Sequence, residues 1–149
     1  MCSSDLVRLK RYLEMRGGDV GSLPMIVAFS SFWTGLLYNH AALDAAWDIA
    51  KNWNAEQRQA LRDDVPKQGL KAKVEQRTVL QIAHELLAIS AAGLKARACL
   101  NKDGQDETIY LEPIKALLNK GQTQSNILTE AYTSNWHKNI DFVFENQAI

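Results

Sequence analysis

The stretch Thr78-Val79-Leu80-Gln81-Ile82-Ala83-His84-Glu85-Leu86-Leu87-Ala88-Ile89-Ser90-Ala91-Ala92-Gly93-Leu94-Lys95-Ala96-Arg97 carries the clearest sign of fold class. Ile82, Leu86, Leu87, Ile89, Gly93 and Leu94 recur at steps of three and four, which places them on one face of a helix predicted to run from Val79 to about Leu100. Thr78 with Gln81 three residues on is a capping box, and Lys95 and Arg97 suit the negative end of the helix dipole. Gly93 beside Ser90, Ala91 and Ala92 predicts a close crossing with another helix.

Further helices flank this one on both sides. Downstream, Asn101-Lys102-Asp103-Gly104 is a terminating turn, Pro113 and Gly121 bracket a short helix, another begins at Thr123, and the aromatic tail Trp136 to Phe144 is expected to dock on the helices. Upstream, Pro24 opens a helix whose stripe is Phe29, Phe32, Trp33, Leu36 and Leu37. His40 to Asn52 continues with Leu43 and Trp47 four apart. Asn54 and Gln57 cap a further helix expected to stop before Pro66. Between Pro66 and Gln76, the cluster Lys67, Lys71 and Lys73, with Arg77 just beyond, reads as a solvated connection around Gly69.

The 149 residues carry 17 basic and 17 acidic side chains, and this balance argues against nucleic-acid coating, which needs a cationic surplus. The apolar run Leu23 to Tyr38 is broken by polar residues and falls short of the roughly 20 needed to span a bilayer. No nucleic-acid or membrane partner is expected. Cys2 and Cys99 cannot build a disulfide framework, so a reducing cytoplasm is the expected setting. The length suits one domain, and neither repeats nor a linker divide it.

Residues 1–6 fit poorly with the charged, alternating segment beyond them and read as a non-native leader; residues 7–149 then form the folding unit. From Val7 to Arg16 the chain alternates with a period of two: Arg8, Lys10, Tyr12, Glu14 and Arg16 on one face, Val7, Leu9, Leu13 and Met15 on the other, with Arg11 the exception. This pattern predicts a strand over 7–16 with a charged face, ended by Gly17-Gly18-Asp19-Val20-Gly21. That loop lacks the spacing of a dinucleotide or Walker loop. The three histidines lie at no metal-ligand spacing, and neither Cys99 nor any serine sits in a nucleophile elbow. The chemistry therefore rests on the strand. A carboxylate at Glu14 and a guanidinium at Arg16, about 7 Å apart on one face, are the residue types that hold Mg²⁺ and phosphoryl oxygens.

The string Arg8-Leu9-Lys10-Arg11-Tyr12-Leu13-Glu14-Met15-Arg16-Gly17-Gly18-Asp19 resembles the C-terminal part of glutamate-cysteine ligase of the plant and proteobacterial type, as do Phe32 to Tyr38, Ala41 to Trp47, Glu56 to Pro66, Ala91 to Arg97 and Asp141 to Phe144. The resemblance implies a mainly α region, α+β in its parent, whose N-terminal strand belongs to the antiparallel sheet of a glutamine-synthetase-like enzyme. It implies ATP-dependent joining of the L-glutamate γ-carboxylate to the L-cysteine amine through a γ-glutamyl phosphate, the first step of glutathione synthesis. Glu14 would be a Mg²⁺ ligand, and Arg16 would contact ATP as a catalytic residue at the transferred phosphoryl group. Arg8, Lys10, Tyr12 and Asp19 match the string without an assigned role. Family members are several times longer, so this chain is expected to be a fragment, inactive without the N-terminal part of the same enzyme. Two alternatives stand beside this: a helical interaction module without catalysis, and a related carboxylate-amine ligase with another acceptor.

Overall fold

In a computed structural model that describes residues 7–18 and 21–147, the capped apolar stretch folds as α4 (Val79–Arg97). It is preceded by two strands, β1 (Val7–Leu9) and β2 (Leu13–Met15), by three helices, α1 (Leu23–Leu37), α2 (His40–Ala50) and α3 (Ala55–Gln68), and by the two-residue strands β3 (Lys73–Val74) and β4 (Arg77–Thr78). Beyond it come a 3-10 helix (Glu107–Leu111), α5 (Glu112–Lys120), α6 (Gln124–Thr133) and α7 (Asp141–Gln147). The mainly helical class holds.

The caps form as their spacing predicts. Thr78 accepts from Gln81 N–H at 3.2 Å while the Gln81 side chain accepts from Thr78 N–H at 2.9 Å. Asn54 and Gln57 form the same reciprocal pair at 2.8 and 2.9 Å, and Thr123, expected only as a helix start, forms a third such pair with Asn126 at 2.9 and 3.2 Å. Each cap satisfies backbone donors that a helix start otherwise leaves open. α4 ends earlier than the periodicity implies, at Arg97, because Ala98 adopts a left-handed conformation with φ 54°.

α4 is the central element: α1, α2 and α5 all pack on it. By length and composition it is, among the described residues, the one helix apolar enough to cross a bilayer, but Ile82, Leu87, Ser90, Gly93 and Leu94 are buried against the other helices. The core cluster joins Leu87 and Leu94 to Leu111 and Leu118. The expected close crossing is with α1. A Cβ built on Gly35 would fall on the Ser90 carbonyl, and one on Gly93 would fall on the Gly35 carbonyl, both far inside contact distance. Buried Ser90 donates its hydroxyl to the Phe32 carbonyl at 2.8 Å, spanning the same crossing.

Three expectations are corrected. The segment 7–16 is not one strand but a hairpin, with Val7 opposite Met15, Arg8 opposite Glu14 and Leu9 opposite Leu13, turning at Lys10-Arg11-Tyr12. Folding back gives the backbone donors and acceptors a partner that a lone strand lacks. α3 passes through Pro66 to Gln68. Pro66 lies in the last turn on an exposed helix without a buried residue, where water can satisfy the carbonyl that loses its donor. The aromatic tail turns on the end of α6 instead of docking across the helices: Trp136 and Lys138 N–H groups bond the Ala131 and Tyr132 carbonyls, and Trp136 stacks on Phe142. Ile140 and Phe144 remain exposed. Residues 1–6, including Cys2, lie outside the described residues.

The crossing and the caps differ in what their loss should cost. Gly93→Ala should lower unfolding stability by about 3 kcal/mol, the upper end of ordinary overpacking, whereas Thr78→Ala should cost only about 1 kcal/mol; urea titrations of the two variants measure both. Asp106 caps the 3-10 helix, accepting from the Thr108 hydroxyl and from Thr108 N–H at 3.0 Å, and these bonds hold its carboxyl below the ordinary value. A lowered carboxyl contributes stability that is present above the unfolded pKa, roughly 4, and lost as pH falls through the lower folded value. Wild type should therefore exceed Asp106→Asn by a constant margin above about pH 5, and the margin should shrink as the solution is acidified below about pH 4.

Candidate functional site

The charged hairpin is where the sequence placed the chemistry. Alternation sorts its side chains, so Arg8 and Glu14, direct partners, rise from one face while the Val7–Met15 and Leu9–Leu13 pairs occupy the other. Glu14 Oε2 lies 3.8 Å from Arg8 Nε and 3.8 Å from Lys10 Nζ. Neither contact is a hydrogen bond, and this oxygen is buried with no hydrogen-bond partner. Lys10 Nζ sits 5.9 Å from the Tyr12 ring centroid, a cation–π contact that holds the ammonium over the turn.

Arg16 lies beyond β2, exposed, with no ion pair among the described residues. The structure thus brings Glu14 to Arg8 and Lys10, two residues to which sequence reasoning assigns no role, and not to Arg16. Cross-strand placement of Arg8 needed the turn at Arg11, which carries no glycine or asparagine to announce it. Asp19 lies outside the described residues. Gly18 closes the loop against α1: a Cβ there would strike the Phe29 ring at 2.7 Å. Phe29 in turn meets Trp33 edge to face, with centroids 6.3 Å apart.

The donor set can be compared with what Mg²⁺ requires, near-octahedral oxygen coordination. Glu14 presents an oxygen free of hydrogen bonds, the acceptor a cation would use. Among the described residues no cluster of three or more His, Cys, Asp or Glu side chains comes together to share it. Among the described residues the donor set thus amounts to one free carboxylate oxygen, which could serve as one metal ligand and is neutralised by Arg8 and Lys10.

Elsewhere, Arg97 ties three elements together. Its Nε donates to Glu107 at 3.0 Å, and its guanidinium lies 5.6 Å from the Tyr38 ring centroid. The bond to Glu107 raises its already high pKa. Cys99 is exposed beside it, just past the end of α4. His40, His84 and His137 are all exposed. Of the basic cluster, Arg77 pairs with Glu85 on α4, while Lys67, Lys71 and Lys73 face solvent as a connecting segment should.

The glutamate-cysteine ligase family 2 (GCS2) profile matches residues 4–146. The chain is 36% identical over 139 residues to the chloroplastic glutamate-cysteine ligase of Solanum lycopersicum, covering 93% of this chain and 25% of that protein. Ligase A of Oryza sativa subsp. indica is 37% identical over 93% of this chain and 27% of its own length, and the Arabidopsis thaliana ligase is 36% identical over 93% and 26%. This chain belongs to the glutamate-cysteine ligase family, an enzyme family of glutathione biosynthesis. It spans about a quarter of the length of the curated relatives it matches.

The ion pairs of the hairpin are more than a third exposed at their basic ends, and pairs of this kind contribute about 0.2–1 kcal/mol. Glu14→Gln should therefore shift the urea midpoint of this chain only slightly, and about 0.5 M NaCl should remove even that difference.

Proposed function

We propose that this chain supplies the phosphoryl-site strand segment of an ATP-dependent ligase that joins the γ-carboxylate of L-glutamate to the amine of L-cysteine. The observation that carries the reading is Glu14 Oε2, a buried carboxylate oxygen without a hydrogen bond, in a string that matches the family along its length. In the reaction proposed, a γ-carboxylate oxygen of glutamate attacks the γ-phosphorus of ATP and ADP leaves. The cysteine amine then attacks the γ-carbonyl carbon of the γ-glutamyl phosphate, phosphate leaves, and the amine gives up a proton to form the amide.

Within that scheme Glu14 would offer one oxygen to Mg²⁺, which when bound would offset the charge of the ATP phosphates. Arg16, unpaired by any described side chain and carrying a planar fork, donates to phosphoryl oxygens as charge builds on them. Arg8 and Lys10, each 3.8 Å from Glu14 Oε2, hold the carboxylate in place. The remaining ligands and the nucleotide surface belong to the longer polypeptide, whose relatives extend over about four times this length. Two cysteines without a framework suit a reducing compartment, the cytoplasm in our reading, whereas the plant relatives are named chloroplastic.

In a full-length enzyme carrying this segment, Glu14→Gln and Arg16→Ala should each lower kcat/KM by about 10²-fold or more, the cost of removing one group that stabilises transition-state charge. Coupled assays of ATP-, glutamate- and cysteine-dependent phosphate release measure this. Full activity in both variants refutes the site. The 149-residue chain alone should release no phosphate above background, since one carboxylate does not make a Mg²⁺ site.

A further inference from the structure

The stretch Val65 to Lys71 and the turn from Gly121 into α6 line a cleft of about 780 Å³, within the roughly 300–1,000 Å³ of small-molecule sites. Its two walls meet at Gly69 and Thr123, where a Cβ on the glycine would lie 3.9 Å from the threonine methyl. Lys67 stands in the last turn of α3, and Lys71 closes a single 3-10 turn, Gly69–Lys71. Between them Gly69 takes φ 55° and ψ −130°, which a side chain would strain. The chain as a whole balances 17 basic with 17 acidic side chains, yet both lysines line this cleft and no Asp or Glu does. Asp63, one helical turn before Lys67, accepts from Gln59 Nε2 at 3.0 Å instead. Neither lysine forms an ion pair among the described residues. The remaining polar lining is rich in donors: Asn126 Oδ1 is taken by the Thr123 N–H and hydroxyl at 2.9 and 2.8 Å, which leaves that amide its NH₂ group, and Ser125 adds an exposed hydroxyl.

We propose that this cleft binds a phosphate dianion, free or at the end of a small ester, between Lys67 and Lys71. Two ammonium groups with no carboxylate beside them match the nearly double negative charge a phosphate monoester carries at neutral pH. Each ammonium offers three rotatable donors, which reach tetrahedrally spread oxygens without the fixed plane of a guanidinium. Val65, Pro66 and Leu70 give the cleft an apolar side against which an organic group can rest. This site is independent of the ligase reading, since it uses neither Glu14 nor Arg16.

The test titrates the 149-residue chain separately with inorganic phosphate, phenyl phosphate and succinate, and follows its amide chemical shifts by NMR. About 0.15 M NaCl screens loose attraction between surface charges beyond roughly 8 Å. Saturable shifts confined to 65–71 and 121–126 are expected with both phosphates. Lys67→Gln with Lys71→Gln should weaken phosphate binding at least about 10-fold, the cost of losing a hydrogen bond to a charged group. Lys67→Arg with Lys71→Arg should retain it. Both lysines are exposed, so each double variant should melt with wild type. Acidifying wild type from about pH 7.5 to about pH 5 removes the second charge of phenyl phosphate, whose pKa is about 6, and should weaken its binding several-fold while both lysines stay protonated. Tighter binding of phenyl phosphate than of inorganic phosphate would place an ester's organic group on Val65, Pro66 and Leu70; equal binding would mark the free ion as the ligand. Shifts that never saturate or that spread over every exposed lysine overturn the proposal. So do Gln variants that bind as wild type does, an affinity indifferent to pH, or succinate bound as tightly as phosphate.

Discussion

Everything in the helical body depends on two backbones touching. α1 and α4 cross where Gly35 and Gly93 have no side chain, so the Gly35 carbonyl occupies the place a Cβ on residue 93 would take. The Ser90 hydroxyl bonded to the Phe32 carbonyl fixes the same crossing with a directional contact in a fully buried place. With α1 seated this closely, Phe32 reaches the leucine cluster, and the end of α4 stands where Arg97 can hold both Tyr38 and Glu107. The orientation of the body derives from that crossing.

The site sits at the margin of this body. The hairpin's principal contacts are internal, and its connection to the helices runs through Gly18 beneath Phe29. Its charged face is thus carried on a lightly held arm, while its apolar face stays open. In the function we propose, the hairpin is one wall of a site: the rigid crossing sets where the arm starts, and a neighbouring sheet would fix where its carboxylate points.

Much of this is written in local sequence. The three reciprocal caps at Asn54, Thr78 and Thr123 depend on residues three apart, and such contacts form wherever the helix forms. The two faces of segment 7–15 are also readable, although its shape is not. Partners in the hairpin are symmetric about Arg11, so each pair shares the parity it would have in a single strand. Period-two alternation therefore gives the same faces for both shapes and cannot choose between them. Pro66 misleads for a related reason. A proline costs a helix bond, but whether that ends the helix depends on how near the end it lies and on whether water reaches the freed carbonyl.

Residue order alone was enough for the helical class, the helix starts, the small-residue face of α4 and the charged string that places the chain in its family, because these rest on short-range periodicity and on residue identity. It took the folded chain to show that Gly93 meets Gly35, and that Glu14 is held by Arg8 and Lys10 and not by Arg16. Those facts depend on which distant segments come together. That choice is made by backbone approach and chain reversal, which leave no periodic trace in the sequence.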